Sequence, residues 1–99
     1  MHNLQPYAAD IASLCKRHHV KTLHAFGSVL TSRFDDRSDV DLIVNFDKMP
    51  VENYADNYYD LKFSLQDIFK RPVDLLEDQA VDNPYFRRTI DRSKQLIYG

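Results

Sequence analysis

Residues 24–46 read HAFGSVLTSRFDDRSDVDLIVNF, and the two ends of this stretch decide which fold the chain can adopt. Residues 39–46 alternate, with one face formed by Val40, Leu42, Val44 and Phe46 and the other by Asp39, Asp41, Ile43 and Asn45. Period-two alternation predicts a β-strand. Residues 20–26, VKTLHAF, contain β-branched side chains and stop at Gly27, which predicts a preceding strand that ends in a tight turn.

Helical spacing of apolar residues flanks these strands and predicts helices over residues 4–18 and 52–70. Pro72 prevents the second helix from continuing, and residues 73–76, VDLL, predict a third strand. Asn83 supplies an N-cap and Pro84 a first helical residue, which predicts a helix over residues 84–92. The order α-β-β-α-β-α predicts one α+β domain over residues 1–99, with a small mixed sheet covered by helices on at least one face.

Composition excludes several classes of protein. The chain has 99 residues, and 13 Lys and Arg against 15 Asp and Glu give a net charge of −2, so we expect neither stable nucleic-acid binding nor attraction to a membrane. Cys15 is the only cysteine, which excludes an internal disulfide and a cysteine-based zinc site. No apolar run approaches about 18 residues, and the start lacks signal-peptide features, so we expect a cytoplasmic protein.

Asp39 and Asp41 are the first candidates for chemistry. Strand geometry places their carboxylates on one face, with Cα atoms about 6.5–7 Å apart. Burial of either ionised group costs several kcal/mol unless a cation compensates, and oxygen ligands favour Mg²⁺ or Mn²⁺. The alternative is a solvated strand end, which is the usual meaning of an isolated D-x-D sequence.

Gly27, Ser28 and Asp74 extend this candidate site. Gly27 permits a sharp turn or a close approach to a ligand, and Ser28 could begin a helical turn whose N–H groups and hydroxyl hold a phosphate. Asp74 interrupts the apolar strand VDLL. If that strand pairs beside residues 39–46, the three carboxylates can bind two metal ions. The alternatives are an ordinary Gly-Ser turn and an edge-strand acid that points to water.

Other polar and aromatic residues allow a structural interpretation beside a functional one. The basic residues 16–19 suit a helix C-terminus better than a phosphate site. His24 suits strand packing better than ligand binding. For the tyrosines of the second helix, Tyr54, Tyr58 and Tyr59, packing is favoured over nucleotide stacking. For Arg87 and Arg88, a solvated helix surface and an orientation toward the site are equally compatible with the sequence.

Gly-Ser followed by ten residues and then D-x-D resembles the signature of the DNA polymerase beta-like nucleotidyltransferase superfamily. The segments HAFGS, SDVDLIVNF, RPVDLL and NPYFRRTI are similar to those of its small stand-alone branch, the minimal nucleotidyltransferases or MNT domains. The resemblance covers residues 20–97, nearly the whole chain.

This resemblance implies specific roles for the candidate residues. Gly27 and Ser28 would bind the triphosphate of a nucleotide substrate, ATP above all. Asp39 and Asp41 would hold Mg²⁺, and Asp74 would be the third carboxylate, shared with the catalytic metal near the attacking hydroxyl. The implied cofactors are two Mg²⁺ ions, for which Mn²⁺ can substitute.

The implied reaction is metal-dependent transfer of AMP from ATP to a hydroxyl, with release of pyrophosphate. Because little sequence remains for a substrate domain, we expect the acceptor to be a partner protein. MNT domains of this kind resemble the antitoxins of two-gene toxin-antitoxin systems whose other product is a helical HEPN-type ribonuclease, and the implied acceptor is a toxin tyrosine.

A departure from the family pattern supports an alternative function. Many members follow Gly-Ser with Ala-Arg-Gly, whereas these positions here hold Leu30, Thr31 and Ser32. Arg33 and Arg37 are the nearby residues that could replace the lost charge. The alternative is a weak or inactive nucleotidyltransferase fold that neutralises a partner toxin by binding alone. Polymerisation of nucleic acid is disfavoured because the chain lacks a basic stripe.

Overall fold

The structure, a computed structural model, describes residues 6–27 and 39–99. The elements in chain order are α1 (Ala8–Arg17), β1 (Val20–Phe26), β2 (Val40–Phe46), α2 (Val51–Phe69), β3 (Val73–Glu77), a 3₁₀ turn (Asp78–Ala80), α3 (Pro84–Ser93) and β4 (Gln95–Tyr98). Within the described part of the chain, the strands form one sheet in the order β3-β2-β1-β4. The predicted helices and strands are all present with closely agreeing bounds, except that α1 begins at Ala8; residues 4 and 5 of the predicted first helix lie outside the described residues.

The sheet is mixed. β1 pairs antiparallel with β2 and with β4, whereas β2 and β3 pair in parallel. A parallel pair needs a long crossover connection, and α2 supplies it. The α+β class and the order of the first six regular elements are confirmed. The structure adds β4 after α3, which the sequence did not predict because four residues directly after a helix carry too little periodicity.

The main core lies on the sheet face that α1 and α2 cover. Alternate residues of the strands form the sheet side of this core, and each of the two helices contributes one row of apolar side chains. Its fully or nearly buried members include Ile11, Leu14, Cys15, Leu23, Ala25, Val40, Leu42, Val44, Leu61, Leu65, Phe69, Val73 and Leu75. This is the alternation predicted for residues 39–46, so β2 directs Asp41 to the opposite face.

The ends of the helices follow from individual residues. Asn83 caps α3, since its Oδ1 accepts hydrogen bonds from the backbone N–H groups of Tyr85 at 2.9 Å and Phe86 at 3.0 Å. α2 stops at Phe69, and Lys70 takes a left-handed conformation two residues before Pro72. No helix in the described residues is long and apolar enough to cross a membrane.

His18 joins the end of α1 to α2, which confirms the structural interpretation of the basic residues 16–19 at this position. The side chain is almost fully buried. Its Nδ1 lies 2.8 Å from the carbonyl oxygen of Leu14, and its Nε2 lies 2.6 Å from Oδ2 of Asp60. In addition, Asn57 donates a hydrogen bond of 2.8 Å to the His18 carbonyl. Polar contacts therefore fix how the two helices lie over the sheet.

On the opposite face, α3 is the one helix among the residues that the structure describes, and the apolar contact there is small. Ile90 is buried against Ile43 and Phe26. Arg87 ties this helix to the 3₁₀ turn, because its guanidinium donates to the Asp78 carboxylate at 2.7 Å, to the Asp78 carbonyl and to the Val81 carbonyl at 3.2 Å. The position of α3 thus depends on one arginine as well as on its apolar contacts.

We expect Arg87→Met to lower the free energy of unfolding by about 1–2 kcal/mol, because it leaves the Asp78 carboxylate and two carbonyls without their donor. Urea unfolding followed by circular dichroism measures this change. Arg88→Met is the matched control, since Arg88 is the next residue of α3 and is exposed. Equal losses in the two variants would show that the Arg87 contacts do not hold α3.

Candidate functional site

Asp41 and Asp74 are register partners on neighbouring strands. The parallel pairing of β2 with β3 sets Asp41 opposite Asp74, and the antiparallel pairing of β1 with β2 sets Asp41 opposite Phe26. Residues directly opposite each other share a sheet face and lie about 5 Å apart between strands. The predicted pairing of the third strand beside residues 39–46 is confirmed, and it brings Asp74 next to Asp41.

Asp39 precedes β2 and shares the parity of Asp41. Asp39 and Asp74 are exposed, whereas Asp41 is half-buried. Burial raises the pKa of Asp41, and the neighbouring carboxylates of Asp74 and Asp39 raise it further. Asp39, Asp41 and Asp74, hereafter the acid group, therefore lie close enough for each of the outer acids to disfavour ionisation of the central one.

Gly27 lies against the Asp41 carboxylate. Its φ is +73°, a conformation that favours glycine, and a Cβ placed on it would lie 2.5 Å from Oδ2 of Asp41. Both the backbone angle and the lack of space exclude any larger residue without rearrangement. The predicted turn after β1 is confirmed, and it brings the end of β1 into contact with the acid group.

The donors of the acid group suit a hard divalent cation. Carboxylate oxygens are the ligands that Mg²⁺ and Mn²⁺ prefer, and Mg²⁺ is commonly held by one or two carboxylates together with waters and substrate phosphates. Within residues 6–27 and 39–99, no three His, Cys, Asp or Glu side chains are grouped closely enough to hold a metal ion together. The acid group therefore fits an ion that its carboxylates hold together with water and substrate phosphates.

Several predicted residues lie outside the described part of the chain. They are Ser28, the departure at Leu30, Thr31 and Ser32, and the two arginines Arg33 and Arg37. The expectation that Ser28 contributes to a phosphate site thus stays a prediction. Gly27, which precedes Ser28, is the last described residue before this segment.

The tyrosines of α2 do not share the face of the acid group. Tyr54 packs edge-on against Phe46, with ring centroids 5.5 Å apart, and Tyr58 packs on the main core and donates a hydrogen bond to the Leu75 carbonyl. Burial raises the pKa of Tyr54, as does its hydrogen bond with Glu77. Packing, the favoured interpretation, is confirmed for Tyr54 and Tyr58, while Tyr59 is exposed and stacks on Phe63.

His24 and Arg87 lie on the acid-group side of the sheet but serve packing. His24 is the register partner of Ile43 and is half-buried; burial and the charge of Lys94 lower its pKa, with Asp78 and Asp91 acting in the opposite direction. Arg87 is partly exposed, and its guanidinium is bound to the 3₁₀ turn and the residue after it through Asp78 and Val81. Sequence reasoning offered two orientations for Arg87, and the structure shows a third.

A polar cleft of about 220 Å³ lies elsewhere, at the carboxyl ends of β2 and β3. Its walls include Tyr54, Lys48 and the acids Asp47, Glu77 and Asp78. Asp41 and Asp74, by contrast, lie near the amino ends of these two strands and beside the carboxyl end of β1. The cleft and the acid group are therefore separate features.

Comparison with known proteins gives a family match and related structures. Residues 9–99 match the family model described as Polymerase beta, Nucleotidyltransferase. A Methanocaldococcus jannaschii protein named as a candidate protein adenylyltransferase is 32% identical over 85 residues, which cover 86% of this chain and 82% of that protein.

Two solved structures show the same fold. A candidate minimal nucleotidyltransferase superposes with a TM-score of 0.77 at 26% identity, covering 95% of this chain and 92% of that one. A complex of the tri-AMPylated Shewanella oneidensis HEPN toxin with an MNT antitoxin contains a chain that matches with a TM-score of 0.65 at 16% identity, covering 96% of this chain and 71% of that one. The second likeness concerns the fold alone.

Gly27→Ala should destabilise the protein through both backbone strain and the clash with Asp41. The left-handed conformation alone costs an L-residue about 1–2 kcal/mol. In an Asp41→Ala background the clash is absent, so we expect Gly27→Ala to cost at least about 1 kcal/mol less there than in the wild type. A double-mutant cycle by urea unfolding measures this coupling, and strictly additive costs would show that the two residues do not touch.

The raised pKa of Asp41 predicts a pH dependence of stability. Because the pKa in the folded state lies above the ordinary value of 3.8, the folded state loses stability as the pH rises from that value through the raised pKa. Asp41→Asn lacks this loss. We therefore expect its stability relative to the wild type to increase between about pH 4 and about pH 7, as measured by urea unfolding.

A substitution of an exposed acid on the other side of the molecule controls for the change in net charge. Asp56→Asn, on α2, serves this purpose. The same increase in both variants would attribute the effect to net charge, and a relative stability of Asp41→Asn that falls with pH would contradict the raised pKa.

Proposed function

Because this chain belongs to the Polymerase beta nucleotidyltransferase family, and is therefore a nucleotidyltransferase, we propose that it transfers AMP from ATP to a hydroxyl of a partner protein. The observation that carries this proposal is the pairing of Asp41 with Asp74, against Gly27 and beside Asp39. Nucleotidyltransferases of this family use a nucleoside triphosphate and a divalent metal ion. Carboxylates alone repel a triphosphate, and the neighbouring carboxylates together with burial raise the pKa of Asp41. A bound cation would offset both effects, which is consistent with a site that is completed by cations and substrate.

In this proposal Asp39 and Asp41 hold Mg²⁺, and Asp74 is the third carboxylate, nearest the acceptor. Gly27 lets the chain approach the triphosphate without a side chain between, and Ser28 adds a hydroxyl and backbone donors. When bound, the metal neutralises phosphate charge and lowers the pKa of the acceptor hydroxyl. The proximity of Gly27, Asp39, Asp41 and Asp74 supports their roles in this proposal. The role of Ser28 rests on the family pattern alone.

The proposed reaction is an in-line displacement at the α-phosphorus of ATP. The acceptor oxygen forms a bond to that phosphorus, and the bond from the phosphorus to the bridging oxygen of the β-phosphate breaks. Pyrophosphate leaves with the electron pair, and the proton of the acceptor hydroxyl passes to the Asp74 carboxylate. Most of the rate enhancement would come from positioning and from stabilisation of charge, since the protein forms no bond to the transferred group.

A HEPN-type toxin is the acceptor that we propose, which would make this chain an antitoxin. The support is the fold shared with the MNT antitoxin in complex with an AMPylated HEPN toxin, together with the name of the M. jannaschii relative. The use of ATP places the proposed reaction in the cytoplasm. Recognition of the acceptor must then use surface close to the acid group.

Incubation with ATP labelled at the α-phosphate, Mg²⁺ and a purified HEPN-type ribonuclease tests the reaction. We expect label on the ribonuclease with the wild type and a loss of at least about a hundredfold with Asp41→Asn, since metal binding and charge stabilisation both depend on that carboxylate. Asp56→Asn, on the opposite side of the molecule, should label as the wild type does.

A thermal-shift measurement with Mg²⁺·ATP helps to separate AMP transfer from neutralisation of the ribonuclease by contact alone. Mg²⁺·ATP should raise the Tm of the wild type, but should have little effect on the Asp39→Asn, Asp41→Asn double variant. If the wild type inhibits the ribonuclease without transferring label and without a shift, then the alternative, neutralisation by contact alone, is correct. Equal labelling by Asp41→Asn would exclude the acid group as the site.

A further inference from the structure

The outer face of α2 carries two exposed aromatic side chains that touch each other. Tyr59 is 53% exposed and Phe63 is 55% exposed, and their rings stack with centroids 6.1 Å apart. The buried residues of this helix, Leu61, Leu65 and Phe69, point to the main core, and the stacked rings are not part of it. Contiguous exposed apolar surface, unlike a single exposed apolar residue, is a common mark of an interaction surface.

The two rings form the centre of a regular row along α2, hereafter the outer stripe. Its members recur at alternating spacings of four and three residues, which keeps them on one side of the helix as in a coiled coil. They are Glu52, Asp56, Tyr59, Phe63, Gln66 and, directly after the helix, Lys70. Acids thus occupy one end of the stripe, aromatic rings its middle and a lysine its other end.

The charged ends of the outer stripe have no partners of their own. Glu52, Asp56 and Lys70 are exposed, and none of their side chains is ion-paired within residues 6–27 and 39–99. These charges are therefore available to a second molecule.

Two further acids flank the outer stripe, and each has a basic residue of the same chain beside it. Asp60 lies 2.6 Å from Nε2 of His18, and Asp67 lines a cleft between α1 and α2 together with Arg17. The flanking acids are thus less available to a partner than the charges at the two ends of the stripe.

The outer stripe is complementary to itself when two copies of α2 lie antiparallel. If Tyr59 of one copy packs on Phe63 of the other, the two-fold axis passes level with Leu61. Glu52 and Lys70 lie at equal distances along the chain from Leu61, so each glutamate then faces the lysine of the other copy. The rings meet in the middle and opposite charges meet at both ends.

The remaining pair of the stripe also fits this arrangement. Asp56 would face Gln66, an uncharged residue that is half-buried and accepts a hydrogen bond of 3.1 Å from the Val73 N–H. A parallel pair would instead set Glu52 against Glu52 and Lys70 against Lys70, which is repulsive. Antiparallel packing also opposes the two helix dipoles favourably.

We propose that the outer stripe is a homodimer interface, in which α2 packs antiparallel against α2 of a second copy. A two-fold dimer is the commonest symmetric assembly, and it needs one patch that is complementary to itself. The acid group lies on the sheet face away from α2, so the dimer leaves it uncovered in both copies. The inference is therefore independent of the proposed function.

The size of the contact sets the expected affinity. The 19 residues of α2 extend over about 28 Å. One pair of such helices buries less than the about 800 Å² per partner of a standard interface. We expect a dissociation constant on the order of 10 µM, so that dimer and monomer exchange within an accessible range of concentration.

Sedimentation velocity over about 1 to 500 µM protein tests the dimer without ATP, metal or ribonuclease. The wild type should pass from monomer to dimer across this range, and Phe63→Gln should raise the dissociation constant at least about tenfold. Tyr85→Gln is the matched control, because Tyr85 is 75% exposed but lies on α3. A wild type that stays monomeric at about 500 µM, or a dimer that Tyr85→Gln weakens and Phe63→Gln does not, would overturn the proposal.

An exchange of charges tests the antiparallel orientation. Glu52→Lys alone or Lys70→Glu alone places like charges opposite each other, so each should weaken the dimer about fivefold at low salt. The double variant restores both pairs and should dimerise as the wild type does. For the same reason, a mixture of the two single variants should form a heterodimer that is tighter than either homodimer. If the double variant is folded by circular dichroism and still dimerises no better than the single variants, the antiparallel pairing is wrong.

Discussion

The parallel pairing of β2 with β3 places Asp41 opposite Asp74, and the chemistry available to this chain depends on that register. Since a parallel pair cannot be closed by a tight turn, the nineteen residues of α2 must cross over the sheet between the two strands. The same crossover buries Leu61 and Leu65 against the strand residues that alternate with the acids. If the pairing of β2 with β3 shifted by one residue, the apolar side chains of the shifted strand would leave the core and its acid would enter it. The same register therefore forms both the core and the acid group.

The two faces of the sheet divide stability and chemistry between them. One face carries α1, α2 and most of the buried apolar side chains, and this burial is the main source of folding free energy. The other face carries the acid group and, within residues 6–27 and 39–99, one helix, α3, which rests on Ile90, Phe86 and the Arg87 contacts. Mutual repulsion of the acids can persist there because the opposite face holds the sheet together.

Local patterns in the sequence located the helices, the first three strands and the acids. Strand alternation assigned Asp39 and Asp41 to one face, helical spacing located α1 and α2, and Asn83-Pro84 located the start of α3. These are short-range effects, since side-chain direction and capping depend only on residues nearby along the chain. The role of Ser28, which lies outside the described residues, stays a prediction.

Only the tertiary structure decided which distant residues meet. No sequence period relates the segments that meet in the contact of Gly27 with Asp41, in the ion pair of Arg87 with Asp78 and in the pairing of β4 with β1. The raised pKa of Asp41 has the same origin, because its causes are burial and charge from Asp74 as well as from Asp39. Periodicity gives the direction of a side chain from its own strand, whereas its neighbours are determined by how the strands pair and the helices pack.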